Sequence, residues 1–282
     1  MRPQRATETQ RLRETLFRVS LCLCASVAWS MAAVPAAAQT TPAAGAAPPP
    51  NGRVAFLSRF DYVFGLQHLV SDDPRFVWDA TFGGELDLVD YTRGRLTFEA
   101  EYEAGLGSEF QPFDPVQGTY TLAGVLSARA RAVEVALVYH HVSRHLGDRP
   151  KRDPIDWNML GARLRTRVAR GRTELAARAD VRGVVLRTFV DYRWELDADT
   201  RARVRLAERV AFITAGGLRV VGVNGSRNRG TQYGVRGEGG IRLEGTGAAV
   251  ELFLGAERRI DPYLLEFGTG SWVTAGFRLV DR

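Results

Sequence analysis

From Arg53 to the C-terminus, apolar and polar residues alternate with a period of two, and they do so in long runs. In 94–105, Leu96, Phe98, Ala100 and Tyr102 alternate with Thr97, Glu99, Glu101 and Glu103. In 156–169, Leu160, Ala162, Leu164 and Val168 alternate with Arg163, Arg165 and Arg167. Successive side chains of a strand point to opposite faces, so each run has one apolar and one charged face. The pattern recurs in 54–64, 77–89, 94–105, 118–130, 132–143, 156–169, 172–183, 185–197, 200–214, 231–244, 247–259 and 270–280. Globular strands average about five or six residues, and a tilted membrane-crossing strand needs about nine to eleven. These runs match the second length. They predict an all-β chain that closes into an antiparallel transmembrane β-barrel of about 12 strands (10–12), with its apolar face toward lipid.

The connections agree with a barrel. Links 65–76, 105–117, 144–155, 215–230 and 260–269 are long, and 90–93, around 131, 170–171, 198–199 and 245–246 are short. Short turns at one end and longer loops at the other are the barrel rule; the short link near 184 is the exception. Trp78, Tyr91, Trp157, Trp194, Trp272 and Phe277 fall near strand ends, where aromatic girdles are expected. The chain ends Phe277-Arg278-Leu279-Val280-Asp281-Arg282, without a terminal aromatic for the barrel-assembly machinery to read.

Residues 1–38 read as a secretory signal peptide. Arg2, Arg5, Arg11, Arg13 and Arg18 make a basic start, Val19–Val34 is an apolar run, and Ala36-Ala37-Ala38 offers a cleavage site. Both cysteines, Cys22 and Cys24, lie inside that run, so the exported chain has neither a disulfide nor a thiolate site. Residues 39–52 form an Ala/Pro-rich spacer, and 53–282 are the barrel domain. Export removes five arginines and two glutamates, which lowers the net charge from +6 to +3. A weakly basic exported chain is not expected to meet nucleic acid. The expected location is the cell outer membrane, with lipid and lipopolysaccharide as surroundings. The glycines of 234–240 lie in a strand with no helix after it, which excludes a dinucleotide fingerprint. No cofactor and no metal are expected.

The lumen is expected to be crowded. Glu99, Glu101 and Glu103 face inward from one strand and Arg163, Arg165 and Arg167 from another, so opposite charges form either an ion-paired plug or the wall of a narrow pore.

The run 132–148, AVEVALVYHHVSRHLGD, holds three of the four histidines. Parity puts His141 and Ser143 on the lipid face with Val135, Leu137 and Tyr139, and puts His140 in the lumen. Residues two apart in a strand have Cα atoms about 6.6 Å apart, near enough for an imidazole to act as base for a serine hydroxyl. Asp156 shares parity with Leu160 and Ala162 and could orient the base; Asp153 and Asp148 are alternatives. His145, Gly147 and Asp148 could equally build an extracellular turn. A metal on His141, His145 and Asp148 would require a sharp bend after Ser143, since extended strand holds those histidines about 13 Å apart.

The order His141-Val142-Ser143-Arg144-His145-Leu146-Gly147-Asp148 resembles the H-x-S-S-H-L-G-D-E signature of an uncharacterised family of bacterial outer-membrane barrels defined by a domain of unknown function. Arg144 replaces its second serine and Arg149 its final acid. His141-x-Ser143 is also similar to the H-x-S pair of outer-membrane lipid A deacylases, whose pair faces lipid with a carboxylate about a dozen residues on; Ser143 to Asp156 fits that spacing, and Arg144 stands where that family has asparagine. Two function classes follow. One is a non-enzymatic barrel: structural, narrow-pore or surface-interaction. The other, implied by the second resemblance, is a serine acyl esterase of lipid A.

Overall fold

The computed structural model describes residues 54–91, 93–147 and 154–281. The expected signal peptide and spacer, and the candidates Asp148 and Asp153, lie outside the described residues. Twelve strands follow one another: β1 (Ala55–Leu69), β2 (Trp78–Tyr91), β3 (Gly94–Gly107), β4 (Asp114–Ala130), β5 (Val133–Leu146), β6 (Ile155–Arg170), β7 (Thr173–Thr188), β8 (Tyr192–Ala207), β9 (Val210–Val223), β10 (Gln232–Glu244), β11 (Ala249–Ile260) and β12 (Thr269–Val280). Each pairs antiparallel with its neighbours in sequence. β1 closes on β12, from Val63 opposite Val280 to Leu69 opposite Thr274. Closure leaves no strand edge, the condition for a sheet in hydrocarbon.

The polarity of the wall is inverted relative to a water-soluble protein. Leu137 (68% exposed), Leu254 and Leu160 point outward, whereas Glu195, Glu251, Asp87 and Arg95 are buried inside. An arginine in place of Leu137, near the middle of the outer face, is therefore expected to destabilise the folded barrel by about 2–4 kcal/mol in lipid vesicles. Urea titration of the refolded variant measures this; no loss would mean that water bathes that face.

Strands β7, β8 and β9 differ from their sequence-based limits; in addition β1 runs on to Leu69 and β4 begins at Asp114. The expected breaks near 184 and at 198–199 lie inside β7 and β8; the chain turns instead at 189–191 and 208–209. Asp197 and Asp199 look like turn residues in sequence. In the barrel they face the lumen: Asp197 meets Arg182, and Asp199 accepts from Arg178 at 3.0 Å and Arg236 at 2.7 Å. Gly216 and Gly217, expected in a loop, lie in β9, where a Cβ on Gly217 would come within 2.7 Å of Arg236 Nε. Tertiary ion pairs thus override local turn chemistry. Two of the girdle aromatics are also internal. Trp157 is buried and donates Nε1–H to Glu195 at 2.9 Å, and Trp272 packs on Phe76 and Leu69. Trp157 shares the inward parity of Arg163, which decides its side.

Ion pairs cross the lumen between strands that are not neighbours, and others link adjacent strands β6 and β7. Arg165 on β6 reaches Glu85 on β2 at 2.9 Å and Glu99 on β3 at 3.0 Å. Arg163 contacts Glu99 and also Asp180. Arg259 on β11 reaches Glu103 at 2.9 Å, and Arg167 pairs with Glu174 at 2.6 Å. Glu101 also lies on this inward face of β3, level with Thr121 of β4.

Above these layers the far mouth carries an apolar cluster of Val142, Ile155, Trp157, Met159, Val190, Tyr192, Val221 and Leu264. Leu264 belongs to the β11–β12 loop, which bends over the opening. Arg144 of β5 donates to the carbonyls of Asp261 and Pro262 at 2.9 and 3.0 Å, and Gln117 of β4 donates to Pro262 O at 2.6 Å. Arg229 clasps Asp191 and Asp261 together, and Tyr192 donates its hydroxyl to Asp261 at 2.7 Å. Burial alone would raise the Asp191 carboxyl, but the Arg229 guanidinium holds it below the ordinary carboxylate range. A depressed folded-state pKa stabilises above the unfolded value of about 3.9 and is lost as pH falls through the lower one. The clasp is therefore expected to persist from neutral pH to about 4 and to release only in stronger acid. Protection of the Gly268 amide, which donates to Asp261 at 2.8 Å, reports this by hydrogen exchange; release near pH 6 would contradict it.

Candidate functional site

At its far end β5 emerges with His141, Ser143 and His145 on the outward face, continuing the row of Val135, Leu137 and Tyr139. His140 points inward, where its Nδ1 lies 2.5 Å from Arg182 Nη1. Strand pairing sets the neighbours. On β6, Asn158 lies opposite His141 and Asp156 opposite Ser143; on β4, Tyr120 lies opposite Ser143.

His141 Nδ1 is 2.9 Å from Asn158 Oδ1, and the Tyr139 hydroxyl donates to the same oxygen at 2.6 Å. A carboxamide oxygen only accepts, so this contact requires a proton on His141 Nδ1, and in the neutral imidazole that leaves the lone pair on Nε2. That is the tautomer a general base requires. Ser143 Oγ is 2.9 Å from His145 Nε2. The His145 ring meets Tyr120 edge-on at 5.6 Å, and Tyr120 meets Tyr102 at 4.5 Å. One serine thus stands between two imidazoles at the edge of an apolar belt.

Asp156 is engaged elsewhere: its Oδ2 accepts the Thr188 hydroxyl at 2.7 Å, and its amide donates to Thr188 Oγ1 at 3.2 Å. The structure therefore joins Ser143 to His145 and His141 to Asn158, leaves His141 and Ser143 two residues apart on one face without a hydrogen bond between them, and sets Asp156 opposite Ser143 on the adjacent strand. Asn158 was not singled out from the sequence. Its parity, shared with Asp156 and Leu160, marks it as outward-facing; its place opposite His141 depends on the β5–β6 register. Gly147 follows the strand, and a Cβ there would come within 2.3 Å of Pro115 O, so its smallness permits a close chain approach. Among the described residues no three His, Cys, Asp or Glu side chains gather as a metal site.

A closed twelve-stranded antiparallel wall with an apolar exterior and a charged interior defines an outer-membrane β-barrel protein. Comparison with solved structures agrees on the fold. The chain is similar to outer membrane phospholipase A from Escherichia coli, with TM-score 0.50 and 14% identity over 80% of this chain and 98% of that one. It is also similar to the calcium-bound dimer of the Salmonella typhi outer membrane phospholipase, with TM-score 0.50 and 13% identity over 80% and 91% of the two chains. LpxR from Salmonella typhimurium aligns with TM-score 0.47 and 9% identity over 78% and 99%. No family model matches the chain, and no curated protein matches it.

Proposed function

We propose that this barrel is a serine acyl-ester hydrolase acting on a lipid of the outer leaflet. The carrying observation is the outward array Asn158–His141 and Ser143–His145 at the long-loop end of the wall. In this reading Ser143 Oγ attacks the ester carbonyl carbon and passes its proton to His141 Nε2. The ester C–O bond breaks, and the departing alkoxide takes that proton. Water, deprotonated by the same imidazole, then attacks the acyl-serine, which releases a fatty acid and restores the hydroxyl. Asn158 fixes the tautomer and ring of His141. The serine must rotate from His145 toward His141, a change of one side-chain torsion. Its place on the hydrocarbon-facing wall lets an ester enter from the bilayer without leaving it. The fold likeness to barrels named as phospholipases is in keeping with this reading.

The 2.9 Å contact between Ser143 and His145 favours a second reading in which His145 is the base. Substitution of each histidine separates the two. Asp156 and Thr188 would then frame the ester from the neighbouring strands. The remaining alternative, a structural barrel with no reaction, is also tested directly. Purified barrel is mixed in micelles with phosphatidylethanolamine or with hexa-acylated lipid A, and released fatty acid is identified by mass spectrometry. Release from the first names a phospholipase, release from the second a lipid A esterase, and release from neither removes the enzymatic reading. The lumen reads as a plug, because ion pairs cross it and the β11–β12 loop is tied over its mouth; wild-type protein is expected to show no unitary conductance in planar bilayers. Such a barrel is inserted by the barrel-assembly machinery.

A further inference from the structure

At the short-turn end the protein holds six arginines that differ from those of the lumen. Arg93, Arg131, Arg170, Arg172, Arg205 and Arg209 stand in or beside the turns β2–β3, β4–β5, β6–β7 and β8–β9, and all six are exposed. Inside the wall, arginine after arginine is paired: Arg95 with Asp87 and Glu134, Arg203 with Glu174 and Glu244, Arg278 with Glu238 and Glu251. The six at the rim have no carboxylate or other side-chain partner among the described residues. Glu208 is the exposed carboxylate in the same four turns, so the rim stays strongly positive.

Arg131 takes its turn at φ 56°, as Gly171 does at φ 57° in the next turn of this rim; it is one of six non-glycine residues at positive φ among the described residues. The rim also sits at the bilayer boundary. Leu164, Leu175 and Leu206 are exposed on the outer wall a few residues before or after these arginines, and Arg205 adjoins Leu206. Stems of this length lie along apolar surface while the guanidinium reaches headgroup level.

We propose that this rim is a multivalent binding surface for the phosphates of anionic glycerophospholipids in the inner, periplasmic leaflet, the side on which barrels place their short turns. Guanidinium groups bind phosphate through paired N–H donors, and alternate turns two strands apart let several lipids be held at once. The ring would fix the depth of the barrel, and with it the height of Ser143 at the opposite boundary; the binding itself does not depend on any catalytic role.

Spin-labelled lipid tests this with the full-length barrel reconstituted in phosphatidylcholine vesicles. The wild type is expected to restrict labelled phosphatidylglycerol severalfold more than labelled phosphatidylcholine at low salt, with the preference shrinking at high salt. The variant R170Q/R172Q is expected to lose a large part of that preference, and R170Q/R172Q/R205Q/R209Q nearly all of it. The variant R187Q/R193Q, which removes two exposed arginines at the other end, is expected to keep it. All variants are first checked for the heat-modifiable gel shift of a closed barrel. A fourfold variant that folds and keeps the preference, a wild type with none, or a loss caused by R187Q/R193Q overturns the proposal. Absence of lipid preference together with capture of a soluble acidic protein would turn the surface over to that partner.

Discussion

Replacing Ser143 with alanine is expected to lower fatty-acid release by ~10⁴-fold or more, because loss of the nucleophile removes the covalent path entirely. His141→Ala is expected to cost about 10²–10⁴-fold, the usual contribution of a positioned base, and His145→Ala only a few-fold. The reverse order for the histidines would make His145 the base. Asn158→Ala gives the sharper test of positioning. Without the carboxamide oxygen, His141 loses the partner at Nδ1 that fixes its ring, so kcat is expected to fall by up to about 10²-fold with KM nearly unchanged. An asparagine that only braces the strand pair would lower the yield of folded barrel and leave kcat per folded molecule as it is. Asp156→Asn should leave the rate nearly unchanged, since its carboxylate is bonded to Thr188 and not to a histidine. A large loss there would return Asp156 to the role of orienter.

The second large effect is on stability. Arg95 is almost wholly buried and holds Glu134 through Nε at 2.9 Å and Nη2 at 3.0 Å, and Asp87 through Nη1 at 3.1 Å. Asp87 also accepts from Thr97 at 2.7 Å and from Arg59 at 3.0 Å. Arg95→Met strands Glu134 without its bidentate partner and is expected to cost about 3–5 kcal/mol, as breaking a buried ion pair does. The double variant R95M/E134L removes both charges and should recover much of the loss. Urea unfolding in lipid vesicles, followed by tryptophan fluorescence, measures both. A loss below about 1 kcal/mol for the single variant would mean that water fills the lumen and screens the stranded carboxylate.

Both results depend on which side of the wall a residue faces, and facing was legible in the sequence wherever alternation was unbroken. Leu137, Tyr139, His141 and Ser143 on one side, and Arg163 and Arg165 on the other, follow from parity alone. Strand limits were less legible where lumen chemistry imitates turn chemistry. Asp197, Asp199, Gly216 and Gly217 read locally as a break, yet they are extended because Arg178, Arg182 and Arg236 from other strands meet them. Trp157 shows a related limit: an aromatic near a strand end suggests a girdle, but its odd position turns it into the lumen and under the mouth.

The sequence by itself determined the number of strands, their period and the two faces, because these are set within single segments by the pleat and by the length needed to cross hydrocarbon. It also marked Ser143 and His141 as neighbours on the lipid side. Only the tertiary structure decided what stands beside them. Register between β5 and β6 put Asn158, not Asp156, against His141, and the end of β5 turned His145 onto the serine. Cross-strand partners depend on how separate segments slide past one another, and that sliding is fixed by the closure of all twelve strands rather than by any one of them.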